Sequence, residues 1–460
     1  MIIIKFGGTS VGSTATLRDA IEIVAARRER NPIVVVSALS GVTNQLVAAS
    51  QAAAAGRVEE MRQIVQEIEA RHQEIAFELV QQKSDYLEMF QRQLAREMAQ
   101  IGAILEGMAL VGEITPRAHD KIVAIGEKLS SVLFAYTMRL KMLTGVHVDS
   151  EDVVVTDDEF GAANPDMDAT RESARRQLLP EVERNHIPVM GGFIGRSRSG
   201  ATTTLGRGGS DFSAAILGAV LDAAEIQIWT DVDGMMTADP RVIATARIID
   251  RISYVEAAEL AYFGAKVLHP KTIAPAVERA IPIRVLNTHN PASAGTLITR
   301  EGDEQGKGPR AVAMKRGITI LHMTSERMLG AHGFLGSIFE VFGRLRVAVD
   351  LVTTSEVSVS VTIDRDDRLP ELLRALAPIA EVRAERDQAI IAMVGRSVLG
   401  DNRVATAVFE ALRQIPISMI SLGRSGLNLS LVMQGTDADR AMLLLHEAIF
   451  ERVPEGVGTR

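Results

Sequence analysis

Lys5-Phe6-Gly7-Gly8-Thr9-Ser10 ends an apolar run, Ile2 to Phe6, and precedes a helix-like segment from about Ala15 to Arg28. Two glycines at such a junction let the backbone approach a phosphate closely, and the helix beyond them presents unpaired N–H groups and a positive dipole end. Lys5 adds a point charge suited to a transferring phosphoryl group. It precedes the glycines, the reverse of the P-loop order, and the glycine pair taken alone reads more readily as a plain tight turn. A second cradle is spelled by Thr203-Thr204-Leu205-Gly206-Arg207-Gly208-Gly209-Ser210-Asp211, ahead of a small-residue helix from Phe212 to Ala219. Its arginine offers a two-pronged donor to a carboxylate, its glycines an anion nest, and Ser210 or Asp211 a helix cap. Three glycines exceed what a cap requires. Trp229-Thr230-Asp231-Val232-Asp233-Gly234, with Asp239-Pro240-Arg241 beyond it, follows a strand, the place where open α/β sheets bind ligands, although Asp and Gly favour turns anyway. In Phe263-Gly264-Ala265-Lys266-Val267-Leu268-His269-Pro270, His269 has no His, Asp or Glu at metal-ligand spacing and reads as structural.

These segments need a scaffold that delivers them to one place. Strand, glycine turn, helix and a second buried strand at Ile33–Val36 read as a βαβ unit. Gln45 to about Leu110 is proline-free, almost glycine-free and apolar at helical spacing, which predicts two or three scaffold helices. Strands are expected at Val153–Thr156, Ile187–Phe193, Ile226–Thr230 and Ile283–Leu286, in an α/β sheet. Arg300 to Arg310 is polar, with glycines and a proline, and reads as a surface linker. After it come two shorter α+β units, each in the order βαββα of the split ferredoxin-like plan. The first has strands near Ile318–Met323, Val347–Thr353 and Val357–Ile363, helices near Phe334–Leu345 and Leu369–Leu376, and a strand near Val382. The second has strands at Ala389–Val394, Ser418–Ser421 and Asn428–Met433, and helices at Val404–Leu412 and Ala438–Phe450.

Composition narrows the function. Acidic residues outnumber basic ones, 58 to 50, for a net charge of -8, which argues against a nucleic-acid scaffold. The chain has no cysteine, so thiolate nucleophiles, disulfides and cysteine metal sites are excluded. The N-terminus lacks the pattern of a secretory signal and no run approaches a membrane span, so a cytoplasmic protein is expected.

Together the four segments resemble the aspartate kinases of the amino acid kinase family. KFGGTS, TTTLGRGGSD, WTDVDG with DPR, and FGAKVLHP occur in that family's order and approximate spacing, and the likeness spans essentially the whole chain. It implies an α/β catalytic domain over 1–299, a sandwich around a mostly parallel sheet. It further implies a linker and strand at 300–315, the strand completing the second regulatory unit, and two ferredoxin-like ACT units at 316–387 and 388–460. The activity implied is transfer of the ATP γ-phosphoryl to the β-carboxylate of L-aspartate, the first step towards lysine, threonine and methionine. Mg2+ would be held mainly by the nucleotide. The likeness is strongest to the monofunctional lysine-sensitive type, which implies an amino-acid effector, lysine ahead of threonine. Edge-to-edge pairing of ACT units implies a homo-oligomer. Neither nucleic acid nor membrane enters as a partner.

The resemblance also distributes roles. Lys5, Gly7, Gly8 and Ser10 would face the phosphates of the nucleotide, with Asp211 orienting Lys5. Thr230, Asp231, Met236, Arg241, Lys266 and Val267 would surround the rest of the nucleotide. The Ser37–Thr43 loop would border the aspartate site, with Thr43, Glu127, Phe193 and Arg207 on the substrate, Glu127 on its α-amino group and Arg207 on a carboxylate. Met328, Phe334, Leu335, Val349, Asp350, Thr354, Ser355 and Glu356 would bind the effector, with Gly333 at a helix start and Asp350 or Glu356 pairing an ammonium. Met236 stands where many relatives carry tyrosine, and Ala331 and Ala348 where some lysine-sensitive ones carry serine. The chemistry agrees with this cast. A free carboxylate, with a pKa of about 3.9, is already ionised at neutral pH and needs no general base. It needs charge cancelled between two anions and alignment. Another amino acid kinase, acting on glutamate or acetylglutamate, and a catalytically silent sensor are the alternatives. A nicotinamide dehydrogenase lacks its G-x-G-x-x-G.

Overall fold

Unbroken apolar runs suit strands buried on both faces of a parallel sheet, and Ile2–Phe6, β1, is buried at every position. The computed structural model describes residues 1–80, 85–264, 268–303, 308–329, 332–364, 367–400, 402–423 and 426–451. The chain divides into two compact units, 1–235 with 250–254 and 267–302, and 236–249 with 255–266 and 303–460. Two short segments of the expected catalytic domain therefore group with the C-terminal part.

In the first unit β1 is followed by α1 (Thr14–Ala25), β2 (Pro32–Val36), α2 (Val42–Ala54), α3 (Val58–Val80), α4 (Asp85–Val111), α5 (Pro116–Val123) and α6 (Ile125–Leu140). Next come β3 (Gly145–His147), β4 (Val155–Thr156), α7 (Met167–Glu183), β5 (Ile187–Gly191), β6 (Ile194–Ser197), β7 (Thr202–Thr204), α8 (Gly209–Val220) and β8 (Ile226–Thr230). The last elements are β9 (Arg251–Ser253), α9 (Tyr254–Tyr262, in the second unit beyond its first residue), α10 (Pro270–Glu278), β10 (Ile283–Asn287) and β11 (Thr296–Thr299). The main sheet runs β3-β5-β2-β1-β8-β10-β11-β9 and is parallel except between β10 and β11. A small sheet joins β4, β6 and β7. The chain leaves β1 towards β2 on one side and returns through β8 on the other, which opens a crevice at the strands' carboxyl ends. Phe6 anchors this centre, its ring 5.6 Å from Phe134 and 6.3 Å from Trp229. The Gln45–Leu110 stretch becomes α2, α3 and α4, with Gly56 (φ 72°) closing the first of them.

The second unit holds β12 (Gly308–Thr324), α11 (Phe334–Arg344), β13 (Val352–Thr354), β14 (Ser358–Ile363), α12 (Leu369–Leu376), β15 (Glu381–Arg396), α13 (Asn402–Ala411), β16 (Met419–Leu422), β17 (Asn428–Gln434) and α14 (Ala438–His446). Its six strands form one antiparallel sheet, β13-β14-β12-β15-β17-β16. Separate strands were expected within 300–315 and at 318–323, and again near 382 and at 389–394. Each pair is instead one continuous strand. Residues 311–316 pair with 389–394, and 318–324 with 381–388. The strands pass the junction by bulging, at Gly317 (φ 72°) and Asp387 (φ 56°), which no hydropathy pattern reveals. The strand expected over 347–353 shortens to Val352–Thr354, because Arg346 (φ 53°) turns the chain after α11. One core gathers Leu321, Ile338, Phe342, Val361 and Leu372, the other Ile391, Met393, Val408, Leu431 and Leu445. Among the described residues no helix is long and apolar enough to cross a membrane.

His72 is fully buried within α3 and its Nδ1 lies 2.7 Å from the Ile68 carbonyl, so Nδ1 donates and Nε2 is left without a partner. Burial lowers its pKa to about 4. A folded-state value below the unfolded one means that stability is present above pH 6.5 and is lost as the pH falls towards 4. His72→Gln is expected to reduce the parent's loss of stability over that window, by up to about 3 kcal/mol, as read by urea unfolding at pH 7 and pH 4.5.

Candidate active site

A cavity of about 880 Å³ opens at the carboxyl ends of β1, β2 and β8. Lys5, near the end of β1, is 8% exposed, and its ammonium lies 2.6 Å from Asp211 Oδ1. Asp211 stands in the first turn of α8, so a strand end and a helix start are tied by one ion pair. The glycine turn beyond Lys5 is held from below. Gly7 N–H donates to the Trp229 carbonyl at 3.0 Å, and the Ser10 hydroxyl donates to the same carbonyl at 3.3 Å. The Thr288 hydroxyl donates to Ser10 in turn. Ser10 is 1% exposed and outside the cavity lining, so it fastens the turn rather than facing a ligand. A Cβ at Gly8 would stand 3.1 Å from the Ala38 carbonyl, so this turn and the β2 loop approach closely and a larger residue would push the loop back.

Two helix N-termini border the cavity. α2 starts after Gly41 (φ 86°) and α8 after Gly208 (φ 70°), with Thr43, Gly209, Ser210 and Asp211 among the lining residues. Their unpaired N–H groups suit an anion. The loop before α2 is pinned from α3, where Arg71 donates to the carbonyls of Ser40 at 2.6 Å and Gly12 at 2.9 Å. Arg207, exposed between two positive-φ glycines, also lines the cavity, and among the described residues it makes no ion pair. Phe193 adopts φ 68°, a costly conformation for a non-glycine residue, and its N–H donates to Ser213 Oγ at 2.9 Å. Glu127, in the first turn of α6, is 4% exposed, and its Oε2 is buried with no hydrogen-bond partner among the described residues. Burial pushes its pKa up to about 8, against the opposing pull of backbone N–H groups at Ala38 and Glu127 itself. A buried acid with so raised a pKa, facing a cavity, marks a candidate functional position.

The remaining nucleotide positions are distributed differently. Thr230 and Asp231 line the same cavity. Met236 and Arg241 fall in the second unit, where the Arg241 fork is engaged by Asp239 at 2.6 Å. Lys266 and Val267 lie outside the described residues. Sequence reasoning missed Asn44, Val47, His119, Val123 and Gly161 in the lining. Most stand in helices or short strands whose patterns carry no chemical signal, and only the fold brings them to the crevice.

Of the effector positions, Met328, Phe334 and Val349 pack against one core of the second unit. Leu335, Thr354, Ser355 and Glu356 are exposed, the Ser355 hydroxyl lying 2.6 Å from that of Ser358. Asp350 does pair an ammonium, but an internal one. Lys315 Nζ donates to its two oxygens at 2.9 and 3.0 Å, and the Tyr262 hydroxyl donates to it as well. Burial and the Asp350 carboxylate raise the Tyr262 pKa. Glu356 makes no ion pair among the described residues. Ala348 is exposed, and Ala331 lies outside the described residues.

Comparison with known proteins gives the family. Residues 1–287 match the model of the amino acid kinase family, and 391–449 match an ACT domain. The chain is 36% identical to lysine-sensitive aspartokinase 3 of Escherichia coli, over 98% of this chain and 99% of that one. It is also 36% identical to the chloroplastic aspartokinase 3 of Arabidopsis thaliana, over 98% of this chain and 81% of the other. The crystal structure of E. coli aspartokinase III with aspartate and ADP superposes with a TM-score of 0.84, at 37% identity, across 98% of this chain and all of that chain. The same enzyme with lysine and aspartate gives 0.81, at 36% identity, across 98% of this chain and 99% of that chain. The chain belongs to the amino acid kinase family, and within it to the aspartokinases.

If Lys5 supplies the charge that meets the transferring group, Lys5→Ala should lower kcat by roughly 10²- to 10³-fold. Circular dichroism melting checks that the fold survives, and steady-state ADP release reads the loss. A kcat within threefold of the parent would remove Lys5 from the mechanism.

Proposed function

We propose that the chain transfers the γ-phosphoryl of ATP to the β-carboxylate of L-aspartate, giving 4-phospho-L-aspartate. The observation that carries this reading is the shared cavity. A lysine held by Asp211, an arginine that makes no ion pair among the described residues and a buried acid with no cationic partner among them all face one space. Those are the complements of a phosphate, a carboxylate and an ammonium. Arg207 takes a substrate carboxylate through its fork. Glu127 takes the α-ammonium, and Phe193 and Thr43 shape the pocket around it. Lys5, Gly7, Gly8 and the α8 N-terminus face the phosphates and stabilise charge as it shifts to the leaving group. Thr230 and Asp231 border the nucleoside side. The attacking carboxylate is ionised in solution, so no residue has to remove a proton from it.

Mg2+ fits as an ion carried by the nucleotide. Among the described residues no three His, Asp or Glu side chains cluster as a metal site, whereas phosphate oxygens are its usual ligands. When bound, it neutralises charge between phosphate oxygens.

The second unit is the regulatory half, and lysine is the effector assigned to it. The α11 N-terminus after Gly333 (φ 81°) offers N–H groups to an effector carboxylate, and Glu356 an acid to its ammonium. Met328, Phe334, Leu335, Val349, Asp350, Thr354 and Ser355 belong to the same binding region. The exposed apolar side chains of edge strand β16, Ile420 and Leu422, support pairing with a second copy of the chain. The absence of a spanning helix among the described residues is compatible with a cytoplasmic enzyme.

ADP release should require L-aspartate, fail with glutamate or acetylglutamate, and fall as lysine is titrated in. ADP formation that is equal with and without aspartate would refute the kinase assignment. Insensitivity to lysine would refute the effector alone. The raised pKa of Glu127 sets a pH dependence. Its ionised form receives the ammonium, so KM for aspartate should fall about fivefold between pH 7 and 8. Glu127→Gln should raise KM and flatten that profile.

A further inference from the structure

Asp120 lies on α5, has no exposed surface and is not among the lining residues of the cavity. Both of its oxygens are engaged. Oδ2 accepts the backbone N–H of Gly161 at 2.9 Å and that of Thr204 at 2.8 Å. Oδ1 accepts the Thr204 hydroxyl at 2.9 Å. Burying a carboxylate is costly unless such donors surround it. Here the donors come from two separate segments, and both segments border the cavity: Gly161, and Thr204 with Gly206 and Arg207 just beyond it.

The same two segments meet twice more. Ala163 N–H donates to the Thr204 carbonyl at 2.9 Å, and a Cβ on Gly206 (φ 77°) would stand 3.1 Å from the Gly161 carbonyl. β7 is only three residues long and ends at Thr204. From there the chain turns through Gly206 and Gly208, both at positive φ, with Arg207 between them. Arg207 has no ion pair of its own among the described residues, so the backbone on either side sets the point from which its side chain reaches into the cavity. The point at which that backbone leaves the sheet is the point Asp120 grips. The neighbouring residue grips the other end of the strand, Lys121 Nζ donating to Thr202 Oγ1 at 3.1 Å.

We infer that Asp120 is a positioning residue for substrate binding. By clamping Gly161 and Thr204 it holds the Gly206–Gly208 turn so that Arg207 meets the substrate carboxylate. The inference rests on the assignment of Arg207 to that carboxylate. It predicts an effect confined to the aspartate side of the cavity, whereas a general support of the fold would disturb both substrates alike.

The test is steady-state kinetics of the full chain carrying Asp120→Ala, Asp120→Asn, Thr204→Val or Arg207→Ala, with each substrate varied in turn. Loss of the clamp in Asp120→Ala should raise KM for aspartate roughly tenfold or more, with KM for ATP within about twofold of the parent. Asp120→Asn should restore most of the affinity, since its carbonyl can accept both N–H groups while its NH2 donates to Thr204 Oγ1. Thr204→Val, which keeps the backbone N–H, should fall between, at about threefold. An aspartate KM unchanged in Asp120→Ala, or rising in step with that for ATP, would overturn the inference. Should Asp120→Ala fail to fold, Thr204→Val decides: a selective rise supports the clamp and an unchanged KM overturns it. If Arg207→Ala leaves the aspartate KM unchanged, the assignment of Arg207 itself is wrong. If Arg207→Ala raises it and Asp120→Ala does not, only the role of Asp120 falls.

Discussion

Two unit negative charges 4 Å apart repel by about 4 kcal/mol at an effective dielectric near 20. A phosphoryl group and a carboxylate must come closer than that to react, and the first unit is arranged around this constraint. Its positive features converge from elements far apart in the chain: Lys5 from the first strand, the α2 start near residue 42, Arg207 and the α8 start about two hundred residues later. A parallel sheet with its order turning at β1 brings them together, because all its carboxyl ends open on one side.

Close approach is the second requirement, and small residues supply it. A Cβ on Gly126 would stand 2.7 Å from Ala38 Cβ, and one on Gly192 2.6 Å from Ser210 Cβ. These glycines let α6 and α8 sit tight against the β2 and β5 loops, and thereby place Glu127 and Asp211 at the crevice. Glu127 bears the consequence. Its carboxylate is stripped of water before any ligand arrives, and its affinity for protons rises accordingly.

Much of this was legible in the residues. Glycine-flanked charges at strand ends, at Lys5 and at Arg207, announced anion cradles, and apolar runs such as Ile226–Thr230 located the strands that carry them. Ser10 was not legible in its true role, because a hydroxyl beside glycines looks the same whether it faces a ligand or a buried carbonyl. Asp120 was not legible either. On an amphipathic helix an aspartate reads as a surface charge, and only the burial of α5 against β7 reveals it as an acceptor for three donors. The division of the C-terminal part into two units was visible as a repeated order of elements. Its two continuous strands were not, since a bulge at Gly317 or Asp387 leaves no periodic trace.

Those shared strands carry an engineering consequence. β12 and β15 each serve both halves of the sheet, so neither half has a register of its own. An insertion or deletion of one residue between the halves would turn every inward side chain of the downstream stretch outward. Length changes in this part of the chain are therefore tolerable in pairs, or at the two bulges where an unpaired residue already exists. Grafting one half onto a foreign partner would have to carry the full length of both strands with it.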